Sequence, residues 1–101
     1  MARIAFHLEI EPGQREAYRR EHENVPAALE SAYLNSDAGI ERYSVFEKGG
    51  HVFGFMETQN PDVIKEVMKT SQAQAEWDIV MGPILQSSDD DIWMDEVYRM
   101  K

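Results

Sequence analysis

Apolar side chains recur at every second position at the start of the chain. Ile4, Phe6, Leu8 and Ile10 interleave with Arg3, Ala5, His7 and Glu9, and a period of two is the signature of a strand with one buried face. Pro12-Gly13 closes that strand, and proline suits the first turn of a helix that follows. From Gln14 to Tyr33 the period becomes helical, with Tyr18, His22, Val25, Leu29 and Ala32 or Tyr33 on one face and Arg19, Arg20, Glu23 and Glu30 elsewhere. Pro26 lies inside that span and is expected to kink or restart the helix, with Asn24 as the candidate cap of its second part.

Asn35 to Gly39 is turn chemistry. Ile40 to Glu47 and His51 to Thr58 then read as two strands, and the intervening Lys-Gly-Gly predicts a hairpin. Asn60-Pro61-Asp62 opens a second helix carrying Val63, Ile64, Val67 and Met68. Its continuation places Ala73, Trp77, Val80, Met81 and Leu85 at helical spacing, and Gly82-Pro83 is expected to bend or end it. After the acidic run Asp89-Asp90-Asp91, Ile92 to Tyr98 reads as a last strand.

The order is βαββαβ, with no repeat or linker, and predicts one domain over residues 1–101. The fold class is α+β, ferredoxin-like: a four-stranded antiparallel sheet with two helices on one face. The strands are apolar on both sides, since Phe53 and Phe55 oppose Val52 and Met56, and Trp93 and Val97 oppose Met94 and Tyr98. The face without helices therefore needs a cover, and in so short a chain the expected cover is a second copy: a homodimer packed through its sheets, of the dimeric α+β barrel type.

Composition narrows the chemistry. Of 101 residues, 43% are hydrophobic and 29% charged, a globular balance. Without cysteine there are no disulfides, thiolate metal sites or cysteine nucleophiles. The 19 acidic against 10 basic residues give a net charge of −9, which argues against nucleic acid or an anionic membrane as partner. Such a dispersed negative surface serves solubility and would also suit a cytoplasm of high salt. No stretch approaches a membrane span, and "MARIAFHLEIEPG" has no signal-peptide core, so a cytoplasmic location is expected. No phosphate loop, dinucleotide fingerprint or nucleophile elbow occurs. His7 and His51 lie on or beside strands without metal-ligand spacing, so neither metal nor cofactor is expected.

Three places remain as candidate chemistry. Tyr18 and His22, four apart on a helix, project the same way and can reach one small ligand; imidazole suits proton transfer in either direction near neutrality. The same spacing also fits a half-buried histidine bonded to a neighbouring carbonyl. Glu76-Trp77 sets a carboxylate beside an indole, a pairing that holds sugars through ring stacking and hydroxyl bonds, and one that equally fits a core aromatic followed by a solvated charge. Tyr43, on a strand whose other face holds Ser44 and Phe46, fits core, interface or pocket wall.

With these residues in view, the chain resembles the L-rhamnose mutarotase family. The likeness runs from "RIAFHLEIEPGQREAYRREH" through "RYSVF" and "FGFMET" to "AEWDIVM" and "DEVYRM", and its most specific part is the strand, proline and "EAYRREH". The resemblance implies a dimeric ferredoxin-like fold and an isomerase that interconverts α and β anomers of a deoxy sugar without a cofactor. It implies His22 as the acid/base group, with Tyr18, Tyr43, Trp77 and, where the family stacks, Glu76 against the monosaccharide. Two features depart from the family. Its paired tryptophans are Glu76-Trp77 here, and its Ile-Trp-Pro-Glu stretch is Val25-Pro26-Ala27-Ala28. Losing two aromatic walls reshapes the pocket and leaves the sugar's identity open. The rival expectations are a cofactor-free monooxygenase or polyketide cyclase of the same fold, and a non-catalytic sugar-binding dimer module.

Overall fold

A computed structural model describes residues 1–86 and 91–101; Asp89 and Asp90 of the acidic run lie outside the described residues. Strands β1 (Ala2–Glu9), β2 (Ile40–Lys48), β3 (His51–Thr58) and β4 (Trp93–Met94) form one antiparallel sheet in the order β2-β3-β1-β4. This is the ferredoxin-like α+β arrangement that the βαββαβ order predicts. Each predicted helix is two: α1 (Arg15–His22) and α2 (Ala27–Leu34), then α3 (Pro61–Thr70) and α4 (Gln72–Met81).

The breaks have local causes. Pro26 takes an extended ψ of 134° and becomes the cap position of α2, where its carbonyl accepts from the Leu29 and Glu30 amides; Asn24 makes no cap bond. Ser71 turns extended between the second pair, and its hydroxyl accepts from the Gln74 amide to start α4. In the β2–β3 hairpin, Gly49 and Gly50 have φ of 61° and 85°, the two positive values of a two-residue turn that follows the sheet's twist.

Register sorts the side chains. Ile4, Phe6 and Leu8 pair with Met56, Gly54 and Val52. With Tyr43, Val45 and Glu47 of β2, they point to the helices. The core is built there: Phe6, Val52, Met56 and Thr58 from the sheet, with Tyr18, Leu29, Tyr33, Ile64 and Met81 from the helices, are buried. The outer face carries Ala5, His7, Ser44, Phe46, Phe53, Phe55 and Met94, and Phe46 is 60% exposed and Met94 45%.

The last strand is shorter than its pattern predicts. Only Trp93 and Met94 pair with β1, opposite Phe6 and Ala5. Beyond them the chain is held by side chains, with Glu96 accepting from Arg3 and Arg99. Val97 is 93% exposed: β1 continues to Ala2 alongside this segment, yet among the described residues the ladder stops at Met94. Among the described residues no helix is long and apolar enough to cross a membrane.

Candidate active site

The space between the helices and the inner face of the sheet is not filled. A cavity of about 560 Å³ opens there, walled by Phe6, Tyr43 and Val45 of the sheet, Tyr18 and His22 of α1, Tyr33 of α2, and Gln74, Trp77 and Asp78 of α4. It is of the size that takes a small ligand, mostly apolar with a few convergent polar groups.

The four-residue spacing on α1 stacks the Tyr18 and His22 rings at 4.2 Å between centroids, and the Trp77 indole meets His22 edge-on at 5.1 Å. The imidazole is thus fixed on two sides. Its Nδ1 donates to the Tyr18 carbonyl at 2.8 Å. A carbonyl only accepts, so Nδ1 carries the hydrogen and a neutral ring has its lone pair on Nε2. Among the described residues Nε2 has no hydrogen-bond partner. The structure thus shows the half-buried histidine bonded to a neighbouring carbonyl through Nδ1, with Nε2 on the cavity side of the pair.

The phenols around it stay protonated. Burial raises the Tyr18 hydroxyl, with smaller contributions from Tyr43 and Glu47. Burial likewise raises Tyr33, aided by Tyr43 and Asp78, and pushes Tyr43 up to about 12. Tyr43 is 37% exposed and lines the cavity. The Tyr18 ring is only 5% exposed, yet its oxygen is not an orphaned buried atom; it reaches the cavity as a donor. Tyr33 donates to Gln74 Oε1, and Gln74 Nε2 donates to Asp78 Oδ1 at 2.7 Å, a chain that holds the Asp78 carboxylate at the wall.

Of the five residues expected to meet substrate, the structure brings Tyr18, His22, Tyr43 and Trp77 to one cavity and leaves Glu76 outside it. At about 100° per residue, Glu76 falls on the far side of α4 from the arc centred on Gln74 and Met81, and Gln72 Nε2 approaches it there at 3.5 Å. The inward set on α4 is Gln74, Trp77, Asp78 and Met81. Gln74, Asp78 and Tyr33 are polar wall residues that sequence reasoning missed, as are Glu30, Glu41 and Arg42. The spacing of four between Gln74 and Asp78, on either side of Trp77, was the available signal.

A clamp outside the cavity positions α1. The Glu47 carboxylate accepts from Arg15 at 2.8 Å, from Arg19, and from the Gly50 amide at 2.9 Å, tying the helix that carries Tyr18 and His22 to the β2–β3 hairpin. Arg15, the Gly50 amide and Arg19 together hold Glu47 down to about 2. With the folded value below the ordinary 4.5, the clamp is fully present above about pH 4.5 and is lost as pH falls towards 2. Thermal melts of the Glu47→Gln variant are expected to show a lower Tm than wild type at pH 6, with the gap closing between pH 4.5 and 2.5. An unchanged gap across that range would exclude the clamp as the cause.

Against known proteins, the model of the L-rhamnose mutarotase family matches residues 3–100. The chain belongs to that family. An L-rhamnose mutarotase of Formosa agariphila is 27% identical over 107 residues, covering 100% of both chains, and one of Paraburkholderia xenovorans is 30% identical over 89% of this chain and 83% of its own. Among solved structures, an L-rhamnose mutarotase from Formosa agariphila superposes with a TM-score of 0.80 at 21% identity, covering 100% of both chains. Tetracenomycin F2 cyclase, a polyketide cyclase from Streptomyces glaucescens, superposes at 0.62 with 17% identity, over 100% of this chain and 98% of its own; that likeness is one of fold. Within the mutarotase family, the two departures named above have different consequences here. Val25 lines the cavity, while Glu76 does not.

Proposed function

We infer that this chain is an aldose mutarotase, interconverting the α and β anomers of L-rhamnose or a related 6-deoxy sugar. The observation that carries this reading is His22, with Nδ1 committed to a backbone carbonyl and Nε2 unpartnered in a cavity walled by phenol donors and an indole. Family membership supplies the reaction class.

The chemistry needs only protons to move. In the ring-opening direction the anomeric hydroxyl loses its proton, the C1–O5 bond breaks with its electron pair going to O5, and O5 gains a proton. The open aldehyde turns about C1–C2 and closes on its other face by the reverse steps. Nε2 is the nitrogen free to take and return the proton. The raised Tyr18 phenol remains O–H at neutral pH and donates to a ring or anomeric oxygen. Tyr43 orients the ring, the Trp77 indole packs against C–H groups, and Asp78, held by Gln74, accepts from sugar hydroxyls. Glu76 would meet sugar only at the mouth of the cavity. The rate gain asked of such a positioned group is about 10² to 10⁴, within reach of a small domain.

Two-dimensional exchange NMR on equilibrated L-rhamnose, L-fucose and related sugars tests the reading. Cross-peaks between α and β anomeric protons are expected to build up far faster with protein present, for at least one 6-deoxy sugar. Exchange at the buffer rate for every sugar would overturn it, and sugar binding without faster exchange would favour the non-catalytic binding module.

We also propose that the working form is a homodimer in the cytoplasm, with a second copy on the outer sheet face. Phe46 and Phe53 stand exposed there on paired strands, with Met94 exposed on the far edge strand beyond β1, and exposed apolar surface of this kind marks an interface. Sedimentation equilibrium is expected to give twice the chain mass for wild type and a shift towards monomer for Phe46→Lys. A monomeric wild type would remove the dimer and leave the cavity's chemistry standing.

A further inference from the structure

The sheet face turned away from the cavity gathers a second set of chemical groups. His7 and Glu9 are two apart on β1 and share a face; Glu9 lies directly opposite His51 on β3, and His7 opposite Phe53. His7 Nε2 and His51 Nδ1 approach to 3.0 Å, their rings stacked at 5.3 Å, and the Phe53 ring packs on His7 at 5.1 Å. One ligand atom from each of His7, Glu9 and His51 lies within 4.8 Å of the other two.

We propose that His7, Glu9 and His51 form a binding site for a borderline divalent transition cation, Zn²⁺ or its neighbours. Two imidazoles and one carboxylate are the nitrogen-rich donor set such ions prefer, and one that hard Mg²⁺ and Ca²⁺ do not. Zn–N bonds of about 2.0–2.1 Å at a tetrahedral centre put two nitrogens roughly 3.3 Å apart, so the cation replaces the bridging hydrogen of the imidazole pair with an adjustment of a few tenths of an ångström. Ladder pairing of β1 with β3 fixes the three Cα positions, which keeps the ordering cost low. Three protein ligands leave one coordination position open. The charge facing the site from β2 is Lys48, opposite His51; it opposes the cation, and its exposed ammonium has solvent to turn into. A cross-strand site has no spacing signature in the sequence, since His7 and His51 meet only through register.

Calorimetric titration of the untagged chain with ZnCl₂ at pH 7.5 tests the site, with an excess of Mg²⁺ present to occupy the scattered surface carboxylates. One Zn²⁺ per chain is expected. His51→Ala and His7→Ala should each weaken it at least about tenfold and Glu9→Gln less, while His22→Ala leaves it unchanged. Bound Co²⁺ should give visible absorption from mixed nitrogen and oxygen ligation. No stoichiometric binding by wild type would overturn the proposal, as would affinity unmoved by both histidine variants or lost in His22→Ala. Far-UV circular dichroism of the variants establishes that each is folded, and anomer exchange by His7→Ala is expected at the wild-type rate if the chain remains dimeric. The metal-binding readouts do not depend on the mutarotase reading.

Discussion

His22→Ala is expected to slow catalysed anomer exchange by about 10²- to 10⁴-fold, bringing it close to the rate in buffer. The loss follows from the division of labour between the two ring nitrogens. Nδ1–H is engaged by the Tyr18 carbonyl, which fixes the tautomer and leaves Nε2 as the ring nitrogen without a partner among the described residues. The phenols are all raised, so they donate hydrogen bonds without giving up their protons. Asp78, tied to Gln74 Nε2, serves as an acceptor. The alanine variant also removes a ring stacked between Tyr18 and Trp77, so some stability is lost with it. Two measurements separate the effects. Sugar affinity from saturation-difference NMR should change far less than the exchange rate, and added free imidazole, entering the vacated space, should restore part of the rate. Full activity in His22→Ala would exclude the assignment; a loss of binding equal to the loss of rate would make His22 a wall rather than an acid/base group.

How far the sequence reaches is best seen on α4 and on β1. The sheet and helices were legible because their periods are: alternation at Ile4 to Ile10 and fourfold spacing at Tyr18 and His22 are local patterns that packing keeps. Trp77 was legible for the same reason. Glu76 was assigned by its place beside Trp77 in a family motif, and helical rotation alone carries it away from the cavity while bringing Asp78 in. The tail after Met94 failed differently: Val97 and Tyr98 have strand-forming side chains, but the ladder with β1 stops at Met94, and strand propensity depends on context more than on composition. His7 and His51 were legible as surface histidines and invisible as a pair, because their meeting depends on the register of two strands 44 positions apart. What one element decides can be read from the chain; what two elements decide together needs the fold.

Gly54→Ala is expected to lower Tm by roughly 5–15 °C and to weaken sugar binding, although alanine is ordinarily the better strand residue. Gly54 sits on the helix-facing side of β3, opposite Phe6, and a Cβ there would fall about 2.1 Å from Phe6 Cε2, deep inside van der Waals contact. Its φ is not positive, so the backbone does not require glycine. Loss of unfolded-state freedom alone would make alanine more stable by about 0.4–1 kcal/mol. Overpacking typically costs about 1–3 kcal/mol, so the clash outweighs the entropy gain. A net loss of about 1–2 kcal/mol corresponds to the Tm change stated, at 4–8 °C per kcal/mol for a domain near this size. The direction of relief links stability to function. Phe6 is packed edge-on against Trp93 at 5.8 Å and also lines the cavity, which is the open space beside it. A ring displaced by a methyl group at residue 54 should therefore swing into the pocket, raising KM while His22 and Tyr18 stay in place. Phe6→Leu with Gly54→Ala is expected to be more stable than the sum of the two single losses allows, since the shorter side chain leaves room for the methyl. Additive losses, or a Gly54→Ala variant as stable as wild type, would show that Phe6 is not what holds residue 54 to glycine.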